Sequence, residues 1–312
     1  MSKKPIVIMF LILTLFYLPA IAETGDGGYP DAFLQPGFGA RALGMGGAFV
    51  GVADDATGGF FNPAGLTQVT RRTFGAFYRK MTLDRRLSYI IYNQPIRDEA
   101  TIALSWINAG VGNVMGRDTD GHITEEISNY QNAVQLFYGR KILDQLSLGL
   151  GIEYIQYNLA NLNSYGLGFG FSVMGRPIPK LRLGGAVEHL GMKYSWTSGE
   201  YWKRYGFMGS SIKEEFPLNL RLGASYLLLK DKILFSSEID KSEKQKEKIH
   251  FGVEGWALKN VAGRIGYDRG SLTLGLGLRQ KIRSIILGFD YAFVASRVAD
   301  DGDHLISLQF EF

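Results

Sequence analysis

The chain has 312 residues, 46% of them hydrophobic and 13% aromatic, with 40 glycines and no cysteine. Its 34 basic residues face 30 acidic ones, a net charge of +4 with histidine neutral. This excludes disulfides, thiolate metal sites and a lipid-modified N-terminal cysteine, and leaves no charge excess that would point to a nucleic-acid partner.

At the N-terminus, Lys3 and Lys4 precede an apolar run over 6–18 and then Ala20-Ile21-Ala22. A basic start, a short apolar stretch and a small-x-small site predict a cleaved signal peptide over 1–22. The run is too short to act as a stop-transfer helix, and no later stretch of about 18 apolar residues could form a transmembrane helix. The exported chain is hydropathically neutral and carries no linker that would divide it.

Residues 23–72 are rich in Gly and Ala with only short apolar pieces. That much glycine disfavours an independent fold and suits close packing inside something else. Beyond it the pattern changes to period two, the signature of strands, because successive side chains leave a strand on opposite faces. Leu146, Leu148, Leu150, Ile152 and Tyr154 alternate with Ser147, Gly149, Gly151 and Glu153, and Leu272, Leu274, Leu276 and Leu278 alternate with Thr273, Gly275 and Gly277. One face is large and apolar; the other is glycine with scattered charges. A water-soluble sandwich hides its apolar faces and rarely presents so much glycine outward. A barrel in lipid inverts the arrangement.

Fourteen strands are predicted, over 73–80, 86–93, 100–108, 130–140, 146–157, 164–175, 180–189, 217–229, 232–240, 248–256, 260–268, 271–280, 284–295 and 304–312. The number is even, as a single-chain bacterial barrel requires, and the longest gaps, 109–129 and 190–216, follow odd strands. The expectation is an all-β, 14-stranded antiparallel transmembrane β-barrel (73–312) with the Gly/Ala-rich segment as a hatch in its lumen. Fourteen tilted strands give a bore of roughly 28 Å, which something must fill.

The hatch carries Gly39-Ala-Arg41-Ala-Leu-Gly44-Met-Gly46-Gly-Ala-Phe49, then Ala53-Asp54-Asp55-Ala56 and Asn62-Pro63-Ala64-Gly65-Leu66. This run resembles the N-terminal segment of PorV/PorQ-type proteins, relatives of the FadL (OMPP1/FadL/TodX) superfamily of outer-membrane fatty-acid transporters. The resemblance implies a hatch inside a 14-stranded barrel, with the Asn-Pro-Ala motif near the first strand. It also implies passive transport of small hydrophobic molecules or, as the alternative, a non-enzymatic partner of a type IX secretion system that binds secreted protein cargo.

On the inward faces, Glu153, Arg182, Glu188, Arg221, Glu254, Arg264, Asp268 and Asp290 carry both signs. A selectivity ring would carry one, so a network joining wall and hatch is expected, with Arg41, Asp54 and Asp55 as its hatch partners. Tyr194, Trp196, Tyr201, Trp202, Tyr205, Phe207 and Met208 lie in the long 190–216 connection, and a cluster of exposed aromatics there is a candidate ligand site. Asn108-Ala-Gly-Val-Gly-Asn113 is a candidate bulge for a sideways exit. Phe310 and Phe312 end the last strand as an outer-membrane assembly signal would. The four histidines, 122, 189, 250 and 304, have no metal-ligand spacing; Asp118, Asp120 and His122 share an external loop. No enzyme, cofactor or metal is expected. The expected setting is the outer membrane of a diderm bacterium, as a monomer. Lipid and the barrel-assembly machinery would be its partners, together with a hydrophobic molecule or secreted cargo.

Overall fold

The computed structural model of the protein describes residues 28–81, 83–112, 114–160, 162–198, 208–295 and 302–312. The signal-peptide expectation falls outside them. Fourteen strands close into an antiparallel barrel. They are β1 (Thr73–Lys80), β2 (Arg85–Ile96), β3 (Ala100–Val111), β6 (Asn129–Leu143), β7 (Leu146–Leu159), β8 (Leu162–Ile178), β9 (Leu181–Leu190), β12 (Asn219–Leu228), β13 (Ile233–Ser242), β14 (Lys248–Trp256), β15 (Val261–Asp268), β16 (Ser271–Ile282), β17 (Ile285–Val294) and β18 (Asp303–Glu311). Two hairpins stand apart from the wall: β4 (Met115–Arg117) with β5 (Ile123–Glu126), and β10 (Lys193–Thr197) with β11 (Ser211–Glu215). Every predicted wall strand is present, with ends displaced by three residues at most.

The barrel closes where β1 meets β18, in register from Thr73↔Glu311 to Lys80↔His304. This seam closes the sheet on itself, as a spanning sheet in lipid requires. The face pattern is inverted relative to a water-soluble protein. Leu104, Phe171 and Leu276 are 54%, 56% and 60% exposed, and the residues between them in sequence point into the lumen. A continuous belt of such side chains has no stable home in water and a natural one among acyl chains. Tyr154, Tyr226 and Tyr267 are outward and exposed, and Tyr138 and Tyr291 share that face by alternation, suiting aromatic girdles.

The connections 112–128 and 191–218 leave the same end of the barrel; the opposite end has only tight turns. Six such turns join β2–β3, β6–β7, β8–β9, β12–β13, β14–β15 and β16–β17. Long loops outside and short turns inside are the usual arrangement of these barrels, so the long-loop end is taken as external.

The segment 28–72 runs down the lumen. Tyr29 donates to Lys244 O in an external loop (3.2 Å), and at the far end Phe312 N donates to Arg72 O (2.9 Å). Between them lie α1 (Ala40–Gly44), α2 (Gly58–Phe61) and a 3₁₀ turn (Pro63–Gln68). Asn62 caps that turn by accepting from Ala64 N, and Pro63 sits at its first position, where the missing N–H costs nothing. Phe38, Phe60, Phe61, Phe77 and Tyr89 pack edge-on or tilted into an aromatic core between hatch and wall, with Phe38 and Phe60 4.6 Å apart.

Inward glycines of the wall are seats for the hatch backbone. A Cβ on Gly252 would meet Met45 O at 2.5 Å, one on Gly223 would meet Val50 Cγ1 at 2.6 Å, and one on Gly275 would lie 3.1 Å from Gly44 Cα. Gly184 and Gly266 would strike the backbones of Val50 and of Met45–Gly46, and Gly139 and Gly149 those of Pro63 and Ala64. The space that alternate glycines open in the wall is occupied by the plug.

Candidate functional site

One guanidinium of the hatch lies at the centre of its ion pairs with the wall. Arg41, on α1, pairs with Asp54 (2.6 Å) and Asp55 (3.3 Å) of the hatch and with Glu254 of β14 (2.8 Å). Glu254 is shared with Arg264 (2.6 Å), which reaches Asp290 (2.8 Å), and Asp290 holds Arg279 (2.9 Å). On the other side Asp54 binds Arg182 (2.9 Å). Burial opposes ionisation of Asp54, but the charges of Arg41 and Arg182 outweigh it and hold its pKa below the ordinary value. Asp55, more deeply surrounded, is pushed up by burial, and it accepts from Thr57 N and Oγ1 (both 2.8 Å). A second group joins Arg221 to Glu188 (3.3 Å) and Asp240 (3.8 Å), and His250 to Asp240 and Asp268.

The predicted inward charges therefore converge on the plug or on one another, apart from Asp268, which pairs with His250 and Arg269, and Glu153. Its partner is Gln135, whose amide donates at 2.8 Å. Gly44 and Gly46 contact the wall at Gly275 and at Phe251 and Tyr267. Asn62 spans hatch and wall, its amide donating to Val50 O (2.9 Å) and Val173 O (3.1 Å). Several wall residues with the same task escaped the sequence reading. Glu238 accepts from Phe49 N and Val50 N (both 2.7 Å), His250 Nδ1 lies 2.8 Å from Gly46 O, and Ser307 accepts from Ala40 N (2.7 Å). Glu238 and Asp240 alternate with Ser237 and Ile239, and that alternation was the signal that could have found them.

Between the hatch and the wall from β6 to β14 lies a cavity of about 80 Å³. Leu34, Phe60 and Phe137 line it with apolar surface, and its polar lining includes Asp31, Gln135, Glu153, Glu188, Arg221 and Asp240. Its lining also takes in Gly170 on the lumen face of β8 and Phe169 and Phe171 on the lipid face. The wall is irregular there. Phe169 pairs with Leu190 but Phe171 with Val187, a one-residue shift. His189 takes φ +65° and Gly191 φ +70°, and Pro217 opposite them has no N–H for a ladder. His189 Nδ1 lies 3.2 Å from Pro217 O.

Above this point the paired strands β9 and β12 continue as β10 and β11 but bend inward. Lys193 pairs with Glu215 as Glu188 pairs with Asn219 below. Ser195 N donates to Ser164 Oγ (2.9 Å), and a Cβ on Gly168 would lie 2.9 Å from Met192 Cβ, so β10 crosses the inner face of β8. Among the described residues, 162–168 pair with β7 alone and have no wall strand on their other side.

Two expectations need correction. The candidate bulge at 108–113 is absent from its described part: β3 pairs without a shift through Val111 with both Arg85 and Asn129. Gly110 lies in that ladder and Gly112 N donates to Asp84 O (3.2 Å). A register shift lies instead between β8 and β9, at Phe169/Phe171, next to the αL residues His189 and Gly191 and opposite Pro217. The aromatic loop is also not an exposed patch where it is described. Tyr194 is fully buried, packed against Phe216 (4.9 Å) and Tyr157 (5.8 Å). Trp196 stacks edge-on with Tyr157 (5.1 Å), and its indole N–H donates to Glu214 (2.9 Å). Met208 is exposed; Tyr201, Trp202, Tyr205 and Phe207 lie outside the described residues. Asp118, Asp120 and His122 do come together, within 4.8 Å, at the exposed tip of the β4–β5 hairpin. Asp118 accepts from the backbone N–H of Asp120 and His122, which accounts for the geometry as a turn. Phe310 faces outward beside Phe74 (6.3 Å), and Phe312 is half exposed.

The architecture has solved counterparts. The toluene transporter TbuX of Ralstonia pickettii superposes with a TM-score of 0.60 at 14% identity, covering 88% of this chain and 98% of that one. The Pseudomonas putida toluene transporter TodX gives 0.59 at 12% identity over 88% and 96%. A Pseudomonas aeruginosa FadL homologue gives 0.56 at 13% identity over 86% and 97%. The fold is theirs. No family model and no curated protein matches the sequence.

Proposed function

We propose that this barrel lies in the outer membrane and passes small hydrophobic molecules passively, by a route that enters at the external mouth and leaves sideways through the wall. The observation that carries the reading is the inward bend of the β9–β12 hairpin. It leaves residues 162–168 of β8 unpaired on one side, next to the part of that strand, 169–171, that lines the cavity. The unpaired edge starts beside Leu167, opposite the girdle residue Tyr154, at the outer border of the hydrocarbon, where unpaired backbone is tolerated if it lines a cavity or is buried in protein. Two strand spacings, roughly 10 Å, separate the strands that flank a missing one. The lumen below is closed by the plug and lined with both charge signs, a poor path for an apolar solute. Moving such a solute out of water gains roughly 25 cal/mol per Å² of apolar surface, so no energy source is required. The fold shared with two toluene transporters and a FadL homologue supports this choice of cargo.

The cavity of about 80 Å³ is smaller than the roughly 150 Å³ that accommodates benzene in an engineered core. Passage of a ring therefore requires the β10–β11 hairpin to move away from β8. The test is uptake of a labelled monoaromatic and a labelled fatty acid by vesicles carrying the barrel, beside a polar solute of similar size. Uptake of an apolar probe above that of empty vesicles, with the polar solute excluded, is the expected result. Uptake of neither apolar probe removes the transport reading and leaves capture of secreted cargo as the function to test.

A further inference from the structure

The external rim has a row of bases that face one another across the strands. Lys80 lies opposite His304 of β18 on one side and Arg86 of β2 on the other. All three are exposed. They share the outward face, since Phe77, Leu87 and Leu305 next in the alternation are buried. Like charges directly opposite one another in a sheet destabilise it, so a Lys–Arg cross-strand pair on this face requires an explanation. Two other bases of this end have partners: Lys241 pairs with Glu247, and Arg269 with Asp268. Lys80 and Arg86 make no ion pair among the described residues.

Their height is set by the belt below. Tyr78, two residues before Lys80 on the same face, is 48% exposed and tops the apolar series Phe74, Ala76, Tyr78 on β1. Two residues rise about 7 Å along a strand, which carries Lys80 from the aromatic girdle to the level of lipid headgroups. Here the barrel also forms a cleft of about 500 Å³, lined by Tyr78, Lys80, Arg86 and Tyr130. Asp84, Arg85 and Glu126 also line it, so the cleft as a whole holds both signs. The lipid-facing row itself holds only bases.

We propose that the Lys80–Arg86 pair, with His304 beside it, is a binding site for the phosphate of a phosphorylated glycolipid of the outer leaflet. One phosphate between the two side chains relieves their repulsion and accepts charge-assisted hydrogen bonds from both. The Tyr78 and Tyr130 rings flank the sugar, and the acyl chains run down the belt. The guanidinium can hold two phosphate oxygens at once and the ammonium supplies a point charge. The site rests on the membrane placement of the barrel but not on what it transports, so lipid binding and uptake fail independently.

The test measures binding of bisphosphorylated lipid A to purified protein in detergent, by native mass spectrometry and by the shift of the heat-induced mobility change. Wild type is compared with Lys80→Gln/Arg86→Gln and with Lys241→Gln as a rim control. Lipid A should bind wild type and the control alike and the double variant about tenfold or more weakly. Lipid A stripped of phosphate should bind wild type as weakly as intact lipid binds the double variant. Equal binding by wild type and double variant, or by the two lipids, overturns the site. Inorganic phosphate that stabilises wild type equally and displaces lipid A overturns the lipid assignment in favour of a free anion. Retention of the folded, heat-sensitive mobility by the double variant keeps the comparison valid.

Discussion

Arg41 holds together groups that could not stay buried without it. Glu254 is 2% exposed and shares its two oxygens between Arg41 and Arg264. Removing one member of a buried charge group leaves another uncompensated, at a cost of about 3–5 kcal/mol. Arg41→Ala should therefore release the hatch from a wall that remains folded, and planar-bilayer conductance should rise for small ions. Gly252→Val should do the same by collision, since its side chain would meet Met45. Unchanged conductance in both would show that these contacts do not hold the plug. Asp54 adds a pH dependence that a comparison isolates. Its pKa is lowered in the fold, so its stabilising contribution is complete above the ordinary value of 3.8 and is lost as pH falls through the lowered one. The difference in leak between wild type and Asp54→Asn should be constant above pH 4 and shrink only below it. A difference that disappears near neutrality would contradict the assignment. The faces of these charges were legible from period two alone. Their partners were not, because which wall carboxylate meets Arg41 depends on where the plug's backbone lies, more than two hundred residues away in sequence.

At the scale of elements, the hatch and the β10–β11 hairpin are the two pieces that sit inside the wall. Deleting 23–66 should leave an assembled barrel that admits small polar solutes, because the glycine seats at 184, 223, 252 and 266 would then face open water. Equal conductance of the truncated and intact barrels would show that the segment is not the plug. The strands were readable to within three residues because a lipid-facing wall repeats one simple pattern. The hairpin's bend was harder to see. Gly191 and Pro217 flank the 190–216 connection and signal interruptions, but nothing local says that the chain turns inward and buries Tyr194. The supposed bulge at 108–113 misled for the converse reason: Gly110 is paired normally by its neighbours on both sides.

As a whole the molecule is a closed sheet with its apolar side outward. It should fractionate with outer membranes, show a β-type circular dichroism spectrum and shift its electrophoretic mobility on heating. Recovery as a soluble periplasmic protein would contradict the account from the ground up. Its absence of cysteine allows the sideways route to be tested by a single reversible bond. Gly168 and Met192 bring β8 and the bent hairpin together, with a Cβ-to-Cβ distance of 2.9 Å for a side chain at 168. A shift of under about 1 Å would reach the usual disulfide separation. Gly168→Cys/Met192→Cys should therefore pin the hairpin across the unpaired edge when oxidised and free it when reduced. The decisive measurement is uptake of a labelled monoaromatic by vesicles carrying this variant. The account predicts uptake at the level of empty vesicles when oxidised and at the wild-type level after reduction, with polar solutes excluded throughout. Equal uptake in both states, above that of empty vesicles, would show that the molecule leaves by another path.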